Sequence, residues 1–368
     1  MFAIGSRAHY ARIKPIINEL GDRCDYSLLI FDTASILLPT ILEQDMLMEK
    51  SIILNTHEQG QNLKTMSISV GKAICEISKV VDNVKPDLMV VVADRYEIMA
   101  PSIVARYMNI CLVHIQGGEI TGTVDDCIRH TVSKLSNYHF VSNDVAKATL
   151  ELMGENSNNI YITGCPTMDL IRKNKADMRK KLLDFWKNNK VDCVPKYIVV
   201  NYHPVTTDYE KNYENIKTLY YKIRKYTGKI IWLEPNYDAG SNKLYDFINH
   251  VENNNNIVFI KNVDSILYLS MLMHCDCIVG NSSVGIRESS YMGIPSISIG
   301  TRQESRECAE NVIRISDDCS GLMEALNYQI AHGKYPASTL YGDGYASNKI
   351  ADLLLSIKIE KDKFFKRK

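Results

Sequence analysis

A short run rich in glycine and serine, GNSSVGIRE at positions 280–288, has the composition of a phosphate-binding loop. Ser282 and Ser283 stand where an apolar strand gives way to a helix, and we expect them at the N-cap of a helix that begins near Gly285. Free main-chain N–H groups and the helix dipole favour an anion there, and small side chains let a phosphate approach. An ordinary serine N-cap is the simpler alternative.

Two side chains close to this loop favour the phosphate interpretation. Glu288 lies about one and a half turns into the predicted helix, from where it can reach over the loop toward a ribose diol. Arg302, in the run GTRQESRE after the next strand, offers a second contact to a phosphate or a base. The second half of the chain is therefore predicted to bind a nucleotide.

Carboxylates and one histidine at strand ends could transfer protons. VVVADRYE places Asp94 and Arg95 at a strand end, and GTVDDCIRH opens a helix with Asp125, Asp126 and Arg129. NYHPVTTDY places His203 at a strand end in the second half of the chain. A structural role explains each residue taken alone. Carboxylates from one domain that face a histidine from the other would suit the removal of a proton from carbon.

Alternating strand-like and helix-like segments are predicted to position these residues. Several strand-like runs are apolar at almost every position, as in parallel sheets that are covered on both faces. The pattern predicts an α/β protein with two Rossmann-like domains, in which ligands bind beyond the carboxyl ends of the strands, in the cleft between the domains. The predicted strands are Phe2–Ile4, Tyr26–Phe31, Asp87–Ala93, Ile110–Ile115, Tyr138–Val141, Ile160–Thr163, Tyr197–Asn201, Lys229–Leu233, Ile257–Ile260, Cys277–Gly280 and Ser296–Ile299.

Domain limits follow from the charged helical stretch in the middle of the chain. We expect an N-terminal Rossmann-like domain at residues 1–165, a connecting helix at 166–190 and a C-terminal Rossmann-like domain at 191–345. The last segment, 346–368, is expected to form a helix and a basic tail.

Composition excludes several classes of function. The chain has 368 residues and a formal net charge of zero, so it offers no general surface for nucleic acid. No apolar run reaches the roughly 20 residues that span a bilayer, so we expect no membrane partner. The ten cysteines lack the spacing of a disulfide framework or a metal site, which favours a cytoplasmic protein without a bound metal.

Seven stretches together resemble the hydrolysing UDP-N-acetylglucosamine 2-epimerases over essentially the whole chain. They are GSRAHYARIKP, DRYEIMAPSIVARYMNI, HIQGGEITGTVDDCIRHTVSKLSNYHF, HPVTTDY, WLEPNYDAGS, GNSSVGIRE and GTRQESRECAENV. The resemblance implies the GT-B arrangement of two Rossmann-like domains, with the C-terminal helix packing back on the first domain. It also implies loss of the C2 proton and the nucleoside diphosphate by elimination, then hydration of the 2-acetamidoglucal, with no cofactor.

The resemblance also implies a role for particular residues. Asp94 and Asp125 correspond to the catalytic carboxylates, and His203 to a contact beside the diphosphate and a potential acid. The nucleotide and sugar contacts that it implies are Arg7, Ala8, Arg95, Arg129, Asn236, Asp238, Val263, Ser282, Ser283, Glu288 and Arg302.

One position departs from the family. Gln116 stands where family members commonly carry a catalytic glutamate, and an amide cannot transfer a proton at neutral pH. Glu119 lies three residues further on and is a second candidate. The departure leaves open the sugar, the base of the nucleotide and whether the last step is hydrolysis.

The leading prediction is an enzyme that supplies a mannosamine-type sugar for sialic-acid-like surface or capsule polysaccharides, acting as a homodimer or homotetramer. A non-hydrolysing 2-epimerase, a diacetylbacillosamine-type 2-epimerase that uses UDP or GDP, and a GT-B glycosyltransferase are the alternative enzymes. A weakly catalytic protein that binds a nucleotide sugar is the non-enzymatic alternative.

Overall fold

The computed structural model describes residues 1–60, 62–189, 191, 196–205, 210–235, 240–251, 256–261 and 263–363. These residues group into two compact units. The first unit contains Met1–Ile120, Val124–Asp169 and the described residues of Gly342–Lys368. The second unit contains Thr121–Thr123 and the described residues of Leu170–Tyr341. Each unit is built on its own parallel sheet, so the predicted α/β class with two Rossmann-like domains is confirmed.

The first unit contains a seven-stranded sheet in the order β3-β2-β1-β4-β5-β6-β7, and every neighbouring pair is parallel. Alternate strand residues enter two buried clusters, because successive side chains point to opposite faces of a sheet. Phe2 and Ile4 belong to one cluster and Ala3 to the other. The strands are β1 (Phe2–Ile4), β2 (Leu28–Ile30), β3 (Ser51–Ile53), β4 (Leu88–Val92), β5 (Cys111–Ile115), β6 (Tyr138–Val141) and β7 (Ile160–Ile162).

The second unit contains a six-stranded parallel sheet in the order β10-β9-β8-β11-β12-β13. Its core includes Trp232, Tyr220 and Phe247, and the ring of Tyr220 contacts the other two. The strands are β8 (Tyr197–Asn201), β9 (Lys229–Leu233), β10 (Ile257–Ile260), β11 (Cys277–Gly280), β12 (Ser296–Ile299) and β13 (Val312–Ile315).

Parallel pairing requires crossover connections, and helices form most of them, whereas only a 3-10 turn at Thr301–Gln303 lies between β12 and β13. In the first half of the chain the helices are α1 (Arg7–Leu20), α2 (Ala34–Leu37), α3 (Pro39–Gln44), α4 (Leu63–Val84), α5 (Met99–Tyr107), α6 (Val124–Leu135), α7 (Asp144–Leu152) and α8 (Pro166–Asn188). The others are α9 (Asn212–Ile223), α10 (Ser241–His250), α11 (Ser265–Met273), α12 (Arg287–Met292), α13 (Leu322–His332) and α14 (Ala346–Ser356).

The last helix, α14, belongs to the first unit and packs against α1 there. Ala346, Ile350 and Ala351 are buried in the same cluster as Ile13 of α1. The carboxylate of Asp169, in the first turn of α8, accepts hydrogen bonds from the N–H groups of the first two residues of α14 at 3.0 and 2.8 Å. Apart from Thr121–Thr123, the described chain thus enters the second unit after Asp169 and returns to the first at Gly342.

The sequence reading differs from the structure at two strands and one helix. β3 and β13 were not expected, and both are partly exposed rather than continuously apolar. The helix expected near Gly285 is a single 3-10 turn over Ser283–Gly285 followed by the short α12, which begins at Arg287. Glu288 therefore lies in the first turn of α12 and not one and a half turns into a helix.

Candidate active site

Asp94 and Arg129 meet at the carboxyl edge of the first sheet. Asp94 follows β4 after Ala93, whose φ of 69° turns the chain sharply away from the strand. Arg129 reaches it from the second turn of α6 and forms ion pairs with the carboxylates of Asp94 and Asp126. The same guanidinium donates to the main-chain oxygen of Glu119 at 2.5 Å. The cluster joins the ends of two strands to the start of α6.

The buried guanidinium of Arg129 determines the charge of this cluster. Burial alone would lower the pKa of Arg129, but the carboxylates of Asp94, Glu119 and Asp126 outweigh burial and raise it. Arg129 is therefore a fixed cation, and a neighbouring cation favours the ionised form of Asp94. An ionised carboxylate at a strand edge is a suitable proton acceptor.

Asp125 lies beside this cluster in the first turn of α6. Its side chain is half-buried, and the helix dipole favours a negative charge at that end of the helix. The structure thus places Asp94, Asp125 and Arg129 at one edge of the first unit, as the sequence indicated. Their catalytic roles remain a proposal.

Gln116 is held in a strained and buried position after β5. Its φ is 67°, its N–H donates to the Phe140 oxygen at 2.8 Å, and its Nε2 lies 2.8 Å from the Sγ of Cys165. Its Oε1 is buried and has no hydrogen-bond partner among the described residues. Strain and an unpaired polar atom together are typical of functional sites. The amide oxygen is placed to accept a hydrogen bond rather than to transfer a proton.

Glu119 and His114 make hydrogen bonds that hold neighbouring parts of the same sheet edge in place. The Glu119 carboxylate accepts a hydrogen bond from the hydroxyl of Ser142 at 2.6 Å. His114 Nε2 lies 2.8 Å from the Ala93 oxygen, and its Nδ1 lies 2.9 Å from the Ser133 hydroxyl. Burial lowers the pKa of His114 to about 3, so the imidazole is neutral and donates to the carbonyl through Nε2. His114 therefore fixes the residue that precedes Asp94.

Arg95 is tied to the buried Glu97 by a hydrogen bond of 2.7 Å. Burial raises the pKa of Glu97 to about 7, although the charge of Arg95 opposes this effect. Arg7 and Ala8 begin α1, whose N-cap is Ser6. In this first turn of α1, Arg7 is half-buried and Ala8 is exposed.

His203 of the second unit is clamped through its main chain. The side chain of Asn281 accepts a hydrogen bond from the His203 N–H at 2.7 Å and donates to its carbonyl at 2.8 Å. Arg302 donates to the Asn281 carbonyl at 3.1 Å. These three residues follow three neighbouring strands, β8, β11 and β12, so the carboxyl edge of the second sheet is braced by one asparagine.

Ser282 and Ser283 form the turn between β11 and α12. Ser282 occupies the capping position of the 3-10 turn, but its side chain makes no capping hydrogen bond. The simple N-cap role is therefore absent, and the hydroxyl is half-buried. Gly280 has a φ of 146°, and a Cβ there would lie 2.1 Å from the Asn201 oxygen, so only glycine lets the chain turn here.

Glu288 and the other expected nucleotide contacts belong to the same unit. The Glu288 carboxyl is buried, and its Oε2 makes no hydrogen bond with any described residue. Val263 is half-buried and precedes Asp264, the N-cap of α11. Asn236 and Asp238 lie outside the described residues.

The sequence analysis did not recognise three pairings of the expected site residues. Asp126 stands three residues before Arg129 on α6, a spacing that brings side chains together and could have revealed the pair. Glu97 lies two residues after Arg95 in the same loop. Asn281 pairs with His203, which follows another strand, so the sequence gave no signal for that contact. Within the described ranges, no cluster of three or more potential metal ligands occurs, and no helix has the length and hydropathy of a membrane span.

Comparison with protein families gives one extended match. The profile of a family described as UDP-N-acetylglucosamine 2-epimerase matches residues 33–355. A UDP-N-acetylglucosamine 2-epimerase of Neisseria meningitidis serogroup B is 29% identical over 348 residues, which cover 92% of this chain and 89% of the relative. A GDP/UDP-N,N′-diacetylbacillosamine 2-epimerase (hydrolyzing) of Campylobacter jejuni is 31% identical and covers 84% of this chain and 82% of the relative.

The fold has a counterpart among solved structures. The UDP-GlcNAc 2-epimerase of Methanocaldococcus jannaschii, in complex with UDP-GlcNAc and UDP, superposes with a TM-score of 0.81 over 96% of this chain and 98% of that chain. Its sequence is 21% identical, so this likeness concerns the fold alone.

Proposed function

Because this chain belongs to the UDP-N-acetylglucosamine 2-epimerase family, we propose that it is a hydrolysing sugar-nucleotide 2-epimerase. The substrate would be UDP-N-acetylglucosamine or a close analogue, and the products would be a free N-acetylmannosamine-type sugar and UDP. The observation that supports this proposal best is the group of Asp94, Asp125 and the buried Arg129 at the carboxyl edge of one parallel sheet.

The proposed reaction proceeds in two stages. A carboxylate removes the proton from C2, the bond between C1 and the diphosphate oxygen breaks on the opposite face, and UDP leaves with the bonding electrons. Water then adds to the double bond of the 2-acetamidoglucal, so that hydroxyl joins C1 and a proton returns to C2 with the inverted configuration. The balance requires only water, and neither a nicotinamide nor a metal takes part.

The residues of the first unit are proposed to transfer the protons. Asp94 and Asp125 are the candidate base and acid, and Arg129 holds Asp94 ionised and in place. An amide cannot act as a general acid or base at neutral pH, so Gln116 is proposed to orient the sugar through hydrogen bonds. Glu119 is a reserve candidate, although its bond to Ser142 favours a supporting role.

The residues of the second unit are proposed to bind the nucleotide. Ser282 and Ser283 would hold the diphosphate through main-chain N–H groups and hydroxyls. The unpaired oxygen of Glu288 would accept hydrogen bonds from the ribose diol, and His203 would contact the diphosphate and assist its departure. Further nucleotide or sugar contacts are assigned, in the same proposal, to Arg7, Ala8, Arg95, Arg302, Val263, Asn236 and Asp238.

The name of the Campylobacter relative supports one alternative substrate class. A 2,4-diacetamido sugar linked to UDP or GDP would undergo the same elimination, since C1 and C2 are unchanged. A non-hydrolysing 2-epimerase would instead return the diphosphate to C1. We further propose a cytoplasmic homo-oligomer that serves the synthesis of sialic-acid-like capsule or surface sugars; the nine described cysteines, none of which is in a disulfide, suit that compartment.

Incubation with a panel of UDP- and GDP-amino sugars in deuterated water tests the proposal. A hydrolysing 2-epimerase releases the free diphosphate in step with a free sugar that carries deuterium at C2. A non-hydrolysing enzyme exchanges C2 but keeps the diphosphate on the sugar. Transfer to an acceptor without exchange at C2 would indicate a glycosyltransferase and contradict the proposal.

A further inference from the structure

A second polar cluster lies in the first unit, on the other side of β1 from Asp94. One oxygen of the Asp32 carboxylate lies 3.1 Å from His57 Nδ1 and accepts a hydrogen bond of 3.1 Å from the Tyr96 hydroxyl. Asp32 follows β2, His57 follows β3 and Tyr96 follows β4. Three strand ends therefore converge on one carboxylate that has no role in the proposed proton transfers.

The backbone of Asp32 is left-handed, with a φ of 50°. Aspartate tolerates this conformation because its short side chain can form a hydrogen bond with the neighbouring main chain. The conformation is fixed because the Asp32 N–H donates to the Thr56 hydroxyl at 3.0 Å. The Asp32 Oδ1 also accepts a hydrogen bond from the Thr33 N–H at 2.7 Å. The turn thus directs the carboxylate of Asp32 toward the edge of the sheet.

The hydrogen bonds of Asp32 determine the proton position on His57. A carboxylate accepts, so Nδ1 of His57 carries a proton, and in the neutral imidazole Nε2 is then an acceptor. The side chain of Asp32 is 1% exposed and that of His57 is 12% exposed. No described residue supplies a hydrogen bond to His57 Nε2. The imidazole therefore presents one oriented, solvent-reachable acceptor above a buried carboxylate.

Two buried carboxylate oxygens near this cluster make no hydrogen bond, which is consistent with a site that binds a ligand. The second carboxylate oxygen of Asp32 and the Oε2 of Glu97 are both buried without a hydrogen-bond partner in the described part of the chain. Such atoms are rare in native structures and call for a specific explanation. Gly5, just after β1, has no room for a side chain, since a Cβ there would lie 2.3 Å from the Cγ of Glu97.

The topology places this cluster beside the proposed reaction centre. In the sheet order β3-β2-β1-β4-β5, β2 and β3 lie on one side of β1, and β4 and β5 lie on the other. Ligands of open α/β sheets bind beyond the strand ends at such a point, where the strand order changes direction. Tyr96 stands two residues after Asp94 and so links the two sides. A sugar whose C1 and C2 lie over Asp94 extends its C4 to the opposite edge of the pyranose ring.

We infer that His57, oriented by Asp32 and Tyr96, accepts a hydrogen bond from the donor that the sugar carries at C4. The inference rests on the proposed function and specifies the substrate. A C4 hydroxyl in N-acetylglucosamine and a C4 acetamido N–H in diacetylbacillosamine both supply such a donor. His57 would then be a specificity-determining residue, whereas Asp32 and Tyr96 act through it as positioning residues.

A thermodynamic cycle tests the contact independently of turnover. Dissociation constants are measured by calorimetry for UDP-N-acetylglucosamine, for UDP-N,N′-diacetylbacillosamine and for the analogue of each that lacks the C4 substituent. The proteins carry Asp94→Asn to block the reaction and differ in having His57, His57→Phe or His57→Asn. His250→Phe, at an exposed histidine near the end of α10, is the matched control.

If His57 accepts one hydrogen bond, His57→Phe should bind the natural sugar nucleotide roughly 3–10-fold more weakly. The affinity for its C4-deoxy analogue should show no added loss. Asparagine keeps an acceptor and should restore part of the affinity. The sugar that shows the coupling identifies hydroxyl or acetamido as the donor. Equal weakening of both ligands, or none, overturns the inference.

The same experiments distinguish failure of the proposed function from failure of the inference about His57. If a nucleotide sugar binds with the expected coupling but the protein with an intact Asp94 releases no diphosphate, hydrolysis is wrong and the subsite stands. If no nucleotide sugar binds, both are wrong. Circular dichroism of each variant shows whether it folds, and His57→Asn provides the reading if His57→Phe does not fold.

Discussion

Arg129 determines how Asp94 can act, because it holds that carboxylate next to a permanent buried charge. We expect Asp94→Asn, and separately Asp125→Asn, to lower turnover by about 10²–10⁴-fold, the usual contribution of a positioned acid or base. Affinity for UDP should change little, since the diphosphate contacts are assigned chiefly to the second unit. Steady-state UDP release and calorimetry measure the two effects.

Asp82→Asn on the exposed face of α4 is the control for these two variants. Deuterium should enter C2 with the control and fail to enter with the two active-site variants. If either active-site variant keeps near wild-type turnover, its carboxylate is structural only, and Glu119 or His203 becomes the better candidate.

Gln116 is expected to position the substrate without exchanging protons. Gln116→Ala removes an amide whose oxygen is unpaired and whose nitrogen bonds Cys165, so turnover should fall by roughly 10-fold, the equivalent of one or two hydrogen bonds. Gln116→Glu should fold and change the rate or the preferred sugar. A loss in Gln116→Ala as complete as in Asp94→Asn would show that this residue is indispensable to the chemistry.

Single residues differed in how far the sequence revealed them. Asp94, Asp125 and His203 were found because each ends a strand or begins a helix in a recognisable motif. Asp126 could have been paired with Arg129 by helical spacing. The contact of Asp32 with His57 could not have been predicted from the sequence. It joins residues 25 positions apart, in loops whose geometry depends on the strand order. Long-range pairs of this kind emerge only from the folded sheet.

The stretch after α14 is fastened to β6 and α6 by one buried carboxylate. The Oε1 of Glu155 accepts a hydrogen bond from Lys134 at 2.8 Å. Its Oε2 accepts one from Lys363 at 2.6 Å and lies 3.0 Å from His139 Nε2. Burial by itself would raise the pKa of Glu155, but bonds from His139, Lys134 and Lys363 outweigh it and lower the pKa to about 2.

Because its folded pKa is depressed, Glu155 stabilises the fold above its unfolded pKa of about 4.5 and less so as the pH falls toward 2. We expect Glu155→Gln to lower the free energy of unfolding by about 1–3 kcal/mol at pH 7, with a smaller difference at pH 3. Urea denaturation at both pH values measures it. Glu151→Gln, on the surface of α7, should have little effect at either pH; a Glu155 effect independent of pH would contradict the assignment.

The turn between β11 and α12 is the element proposed to bind the diphosphate. Replacing Ser282 and Ser283 together by alanine should weaken UDP binding by roughly 1–3 kcal/mol, the size of a few charge-assisted hydrogen bonds. Folding should persist, because Ser282 makes no capping bond. Calorimetry with UDP compares this variant with Ser265→Ala on α11; unchanged affinity would leave the turn without a role in binding.

Strands with a continuous apolar run were predictable, including the edge strands β7 and β10, whereas the edge strands β3 and β13 were not. β4, β5, β8 and β11 are apolar on both faces, so their ends were found within a residue or two. β3 and β13 lie at the sheet edges and are half exposed, and only pairing with β2 and β12 defines them. The short α12 illustrates the same limit, since the sequence cannot distinguish a 3-10 turn from the start of an α-helix.

Across the whole molecule, the first unit depends on residues from both ends of the chain. Asp169 caps α14 with both carboxylate oxygens while fully buried. We expect Asp169→Ala to destabilise this junction by about 1–2 kcal/mol, as for other lost caps. Hydrogen exchange should accelerate in Ala346–Ser356, whereas Asp177→Ala on the exposed side of α8 should leave it unchanged. Unaltered exchange with Asp169→Ala would mean that packing alone holds α14.

The interrupted first unit has a consequence for how the protein is made. A ribosome delivers the chain from its amino end, and domains usually complete their folding in that order. Here every residue of the second unit has been synthesised once Tyr341 is added, but β1 and α1 still await the helix that covers them. The apolar surface of α1 that α14 later buries stays uncovered during this interval, which makes the nascent first half a natural client for chaperones. Maturation of the proposed catalytic edge thus finishes last, after the nucleotide-binding half has been completed.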